Sequence, residues 1–181
     1  ELETFDSLIR RIVGSFNDAG IEYVLTGALA ASFYSVPRTT MDADVVVEIH
    51  EEEAQTRLVS ALRKAGLKVE ENRISAALRS GFKIATFRDT ETPFTVDVIL
   101  SDGKLDKKAG IILGLPTFFQ TPEDLILAKL RMIKATVPRE RASKDEEDIK
   151  AILKFNKVDM NAIRSQARKN DTLSILEAIT R

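Results

Sequence analysis

The triplet Asp42-Ala43-Asp44, running straight into Val45-Val46-Val47, limits what this chain can fold into more than any other stretch. Side chains alternate between faces along a strand. Arg38, Thr40, Asp42 and Asp44 therefore share one side, and Thr39, Met41, Ala43 and Val45 the other. The valine run predicts a strand buried on both faces, so the two acids stand where an exposed strand end meets the core. Carboxylates one pleat apart repel each other unless a cation lies between them, which makes this a good place for a metal. A third acid, Asp97, sits inside the apolar run FTVDVIL. An unpaired carboxylate is costly there, so Asp97 needs a cation, a strong hydrogen-bond partner or an exposed strand end.

Composition narrows the metal. The chain has no cysteine and a single histidine, His50, which removes thiolate zinc sites and histidine-rich ones and disfavours a serine–histidine triad. Oxygen donors remain, and they suit magnesium, manganese or calcium. The lack of cysteine fits a cytoplasmic protein. No apolar run approaches the ~18–20 residues that span a bilayer, so no membrane association is expected. The opening ELETFDSLIRR carries acid where a signal peptide carries base, so none is expected there. With 181 residues, 44% hydrophobic and 30% charged, the chain suits one full-sized soluble domain or a smaller one with a helical appendage. Residues 1–103 hold 11 Lys and Arg against 17 Asp and Glu, and residues 104–181 hold 16 against 11. That asymmetry suits a metal site beside a polyanion-binding surface, and equally two halves that attract each other.

Periodicity sets out the elements. FDSLIRRIVGSFNDAG is an amphipathic helix ending at Gly20. IEYVLTG is a short buried strand stopping at Gly27, and ALAASFYSV a helix closed by Pro37. EEEAQTRLVSALRKA is a helix whose end charges match the macrodipole. FKIATFRD and FTVDVIL form a hairpin around Thr90–Pro93, and IILGLPTFF is a short connecting segment. TPEDLILAKLRMIKA starts with a Thr cap and Pro at N1. SKDEEDIKAILKF carries Ser143 as cap and Glu146 at the capping-box position. MNAIRSQARKN and DTLSILEAIT add one or two helices. The expected fold is α+β, a mixed β-sheet flanked by helices over residues 1–120, followed by a C-terminal helical region over 121–181.

The junction of strand, Gly27 and helix presents backbone N–H groups at a helix N-terminus, a ready anion site. Taken with the acids that follow, TGALAASFYSVPRTTMDADVVVE resembles the signature of the nucleotidyltransferase superfamily, whose fold is that of DNA polymerase beta. A small-residue turn leads into a helix, then Asp-x-Asp on the next strand, with Asp97 the match for the third acid. The R-x-T-x-D-x-D form, with PEDLILAKLRM and KDEEDI, is similar to the AbiEii-type branch, which includes toxins of toxin–antitoxin pairs.

The resemblance implies NMP transfer from an NTP, ATP among the candidates, with pyrophosphate leaving. Asp42, Asp44 and Asp97 would be catalytic and hold Mg2+ or Mn2+. Thr26, Gly27, Ala28, Arg38 and Thr40 would bind the nucleotide. Lys129 would reach the triphosphate as an otherwise unpaired lysine, so that its removal leaves stability unchanged. Lys144, Asp145 and Asp148 match a later motif of the branch and are assigned to the same nucleotide site. The acceptor could be a tRNA end, a protein hydroxyl or a small molecule, and the partner a cognate antitoxin.

Ala28 departs from the family's Gly or Ser and removes a phosphate-binding hydroxyl. The alternative is therefore a catalytically silent binding module of the same fold. A third reading, an antibiotic-modifying enzyme, is opposed by the short helical region after residue 120. Read as residues alone, Lys129 fits a snorkelling lysine as well, and Lys144, Asp145 and Asp148 fit solvated helix charge. Arg139 and Arg141 suit phosphate binding or a solvated loop. His50 reads as structural, and Phe118 and Phe119 as core.

Overall fold

The structure is a computed structural model that describes residues 4–35, 37 and 39–181. The chain divides into two compact units, Glu1–Leu29 with Thr39–Gln120 and Ala30–Arg38 with Thr121–Arg181.

The first unit is built on a seven-stranded mixed sheet. Its strands are β1 (Tyr23–Thr26), β2 (Asp42–Glu48), β3 (Leu67–Lys68), β4 (Ile84–Asp89), β5 (Thr95–Ser101), β6 (Lys107–Ile112) and β7 (Leu115–Gln120). Their spatial order is β3-β4-β5-β2-β1-β7-β6. β2 runs parallel to β5 and β1 parallel to β7, and the other neighbours are antiparallel. One face is apolar: Ala43, Val45, Val47, Ala85, Phe87, Val96, Val98 and Leu100 are each at most 3% exposed.

The helices of this unit are α1 (Phe5–Ala19), α3 (Glu52–Lys64) and α4 (Asn72–Arg79), with α2 (Gly27–Tyr34) beginning here and continuing into the second unit. α1 starts where Thr4 accepts a bond from the Ser7 N–H and stops at Gly20, whose φ of +66° is left-handed. Its stripe of Leu8, Ile9, Ile12, Val13 and Phe16 is buried, the i, i+4 pattern of a core-facing helix. α1 and α3 pack against each other.

A part-buried ion pair ties α1 to the sheet. The Arg11 guanidinium donates to both carboxylate oxygens of Asp89, at 3.1 and 2.9 Å, and to the Ala65 carbonyl at 2.5 Å. Thr92 donates to Asp89 as well, at 2.7 Å.

The segment IILGLPTFF differs from expectation. It belongs to a hairpin of β6 and β7, whose turn at Leu113 and Gly114 has φ of +49° and +81°. Two left-handed residues suit the twist of a tight hairpin, a shape that Asn-Gly usually announces. Leucine at the first position conceals it. Phe119 is core at 2% exposure, but Phe118 is 37% exposed, with Lys107 Nζ 4.9 Å from its ring centre.

The second unit holds the end of α2 with α5 (Pro122–Ala135), a 3-10 turn at Arg139–Ala142, α6 (Ser143–Phe155), α7 (Met160–Lys169) and α8 (Leu173–Thr180). Thr121 caps α5 by accepting from the Asp124 N–H, with Pro122 next and acids in the first turn. Leu125, Ile126, Leu130 and Ile133 of α5 are buried, and α5 packs against α6, α7 and α8. Asn156 donates to the Tyr34 carbonyl at 2.6 Å, fastening the end of α2.

Ser143 does not cap α6. The 3-10 turn runs directly into the helix, Ala142 takes the cap position, and Ser143 is already helical at φ −55°, ψ −36°. Among the described residues, no helix is long and apolar enough to cross a membrane.

Candidate functional site

The face of the sheet opposite the apolar one carries the acids. Asp44 of β2 lies abreast of Asp97 of β5, and Asp42 abreast of Thr95. Residues abreast on neighbouring strands, about 4.8 Å apart, project to the same side. Asp97 is abreast of Thr86 on β4, and Asp44 of Thr26 on β1. Thr86, Asp97, Asp44 and Thr26 thus form one polar line across four strands, with Asp42 one pleat away.

Threonines hold two of the carboxylates. Thr95 donates to Asp42 Oδ1 at 2.5 Å, and Thr86 donates to Asp97 Oδ1 at 2.6 Å. Asp97 therefore meets its requirement through a hydroxyl donor and a half-exposed face. Thr26 is 6% exposed and donates to Gln120 Oε1 at 2.5 Å. Thr40 turns back on its own chain, donating to the Asp42 carbonyl and accepting from the Asp42 N–H at 3.0 and 3.2 Å. Arg38 lies outside the described residues.

Gly27 opens α2 with φ of +58°, and a Cβ there would stand 2.2 Å from Asp44 Oδ2. Only glycine fits both the left-handed backbone and that close approach. Ala28 beside it is buried.

Among the described residues, no three acids or histidines are gathered closely enough to grip a metal as they stand. The donor set nonetheless has the chemistry of a hard-cation site, all of it carboxylate oxygen. Threonine hydroxyls orient two of the three acids, as outer-shell groups orient ligands.

In the second unit Lys129 is 6% exposed, and its ammonium donates to Asp148 Oδ2 at 2.8 Å and Asp145 Oδ1 at 3.2 Å. The expectation of an unpaired lysine is thereby corrected: the two aspartates of α6 neutralise it. Lys144 is exposed, as are Arg139 and Arg141. Replacing Lys129 by alanine should lower stability by about 2 kcal/mol, since charged hydrogen bonds contribute ~1.5–3 kcal/mol. Urea denaturation reads this directly, and a change under ~0.5 kcal/mol would mean that the pair contributes nothing.

His50 pairs with Glu48 at 2.5 Å, and its bond is the main force lowering the Glu48 pKa, against the opposing pull of burial.

Sequence reasoning missed Thr86, Thr95 and Gln120. Thr95 was within reach, since it precedes Asp97 by two residues and so shares its face. Thr86 and Gln120 depend on strand register, which no local pattern carries.

No protein-family model matches this chain, and no curated protein does either. Solved structures do match. The solution structure of the antibiotic-resistance factor ANT(2'')-Ia superposes with a TM-score of 0.65 at 15% identity, over 96% of this chain and 95% of that one. Its crystal structure with adenylyl-2''-tobramycin gives 0.65 and 15%, over 93% and 99%. An antigenic nucleotidyltransferase-like protein from Paracoccidioides brasiliensis gives 0.57 and 16%, over 99% and 94%. The lincosamide antibiotic adenylyltransferase LnuA, bound to lincomycin, gives 0.56 and 13%, over 86% and 100%. The chain has the nucleotidyltransferase fold. The size objection to an antibiotic-modifying enzyme fails, because this chain spans nearly the whole of ANT(2'')-Ia and LnuA.

Proposed function

We propose that this protein transfers a nucleoside monophosphate from an NTP to a hydroxyl acceptor. The observation that carries the proposal is the pairing of Asp44 with Asp97 across β2 and β5, with Gly27 pressed against Asp44. An acid line beside a backbone that only glycine can form suits a phosphate chain and its counter-cation. Asp42, Asp44 and Asp97 are the residues that would hold magnesium or manganese. Such an ion, when bound, neutralises phosphate charge and stabilises the entering and leaving oxygens.

The acceptor oxygen attacks the α-phosphorus, a new O–P bond forms, and the bond to the β-phosphate oxygen breaks to release pyrophosphate. In this reaction Asp97, to which Thr86 donates, takes the proton of the attacking hydroxyl. Asp42 is steadied by Thr95, which limits reorganisation during the reaction.

ANT(2'')-Ia and LnuA support a small-molecule hydroxyl acceptor through their matching size. A tRNA acceptor, the AbiEii-type assignment and a toxin role with an antitoxin partner rest on R-x-T-x-D-x-D, PEDLILAKLRM and KDEEDI. Ala28 favours the alternative of a silent binding module, which would bind NTP without releasing pyrophosphate.

Thermal melting tests the nucleotide site. Magnesium with ATP or another NTP should raise the melting temperature, because a ligand of the native state stabilises it by mass action. The double variant Asp42→Asn, Asp44→Asn should lose that shift. An equal shift in the double variant would place the nucleotide elsewhere.

A further inference from the structure

The polar face continues beyond Asp97. On β4, Ile84, Thr86 and Arg88 project to the same side as Asp97 and are exposed, while Ala85, Phe87 and Asp89 between them are buried. At the opposite end of the line Thr26 is buried. The line is therefore covered at Thr26, partly open at Gly27 and Asp44, and fully open over β4. With donor phosphates at Gly27, the hydroxyl that reaches Asp97 approaches over β4.

Arg88 stands abreast of Thr95, the residue that holds Asp42. Among the described residues it makes no ion pair and no side-chain hydrogen bond. A guanidinium is a fork-shaped donor matched to planar carboxylate and to phosphate, and this one is unused on the open side of an acid cluster.

We propose that Arg88 binds an anionic group of the acceptor, which is then a hydroxyl compound bearing a phosphate or carboxylate. This rests on the NMP-transfer reading above. The hydroxyl sits at the level of Thr86 and Asp97, and the anion one strand repeat along, on the order of 7 Å away. Ile84, 48% exposed, offers an apolar surface one repeat in the other direction. A polycationic acceptor such as an aminoglycoside meets like charge at Arg88, which discriminates against it.

The test is label transfer from α-labelled NTP with magnesium to matched acceptors. The probes are nucleoside 5'-monophosphates against nucleosides, glycerol 3-phosphate and glycerate against glycerol, and tobramycin. Wild type should label at least one acid tenfold or more above its neutral counterpart, and the pair involved separates phosphate from carboxylate. Arg88→Gln should erase that preference while the magnesium–NTP melting shift stays unchanged, and Arg88→Lys should restore part of it. Equal labelling of neutral acceptors, labelling of tobramycin, or no labelling of any acid while the melting shift is present would each overturn the proposal. So would loss of the shift in Arg88→Gln, which would make Arg88 a donor-site residue. Absence of the shift in wild type would instead sink the NMP-transfer reading itself.

Discussion

Asp42→Asn and Asp97→Asn, made singly, are expected to slow pyrophosphate release from NTP by about a thousandfold, ~4 kcal/mol of barrier. Asparagine keeps a carbonyl oxygen where Thr95 and Thr86 now donate, so the local hydrogen bonds survive. What disappears is the negative charge, and with it, in the proposed reaction, the hold on a cation and, at position 97, the proton acceptor. The free protein should melt at the same temperature or slightly higher, because removing one of three carboxylates from a shared face relieves repulsion. Steady-state pyrophosphate assays with parallel melting curves separate the two effects. A rate within tenfold of wild type would remove that acid from the chemistry, and a large fall in melting temperature would make it structural.

The largest stability effect should come from Arg11→Met, which removes the partner of a buried carboxylate on the other face of the sheet. The Asp89 side chain is 0% exposed and that of Arg11 27%. Breaking a buried pair from one side costs about 3–5 kcal/mol, because the remaining charge keeps its desolvation penalty. The partial exposure of Arg11 places the expected loss near the lower end, about 3 kcal/mol.

The loss should also depend on pH. Burial alone raises the Asp89 pKa, but the bonds from Arg11 and Thr92 and the Arg11 charge outweigh it and hold the carboxyl below its ordinary value. A folded-state value below the unfolded one gives stability that is complete above the unfolded carboxylate range, about 3.9, and lost as pH falls through the folded value. The gap between wild type and Arg11→Met in denaturant titrations should be full at pH 7 and narrow below about pH 4. A gap that is constant with pH would assign the loss to packing of the arginine stem.

Local chemistry made much of this fold legible. Strand parity put Asp42 and Asp44 on one face because the period of two leaves no choice. Thr121 and Pro122 marked the start of α5, and the apolar stripe of α1 marked its buried side. What stayed hidden is non-local. The register that sets Asp44 against Asp97 joins residues 53 apart in sequence, and it alone decides that Thr86 reaches Asp97. Lys129 reads as an orphan charge within α5, and only the packing of α6 supplies Asp145 and Asp148. Leu113 hid a hairpin by occupying a left-handed position that leucine rarely takes. The arginine on β4 carried no signal of its own, because an exposed Arg in an alternating strand looks like ordinary solvated surface.

The central claim is attack at the α-phosphorus of an NTP, and the fate of two labels tests it most directly. With magnesium and NTP labelled at the α-position in one sample and the γ-position in another, the γ-label should leave as pyrophosphate. The α-label should become attached to an acceptor or appear as NMP where water takes its place. Release of the γ-label as inorganic phosphate, with the α-label retained in NDP, would contradict the account.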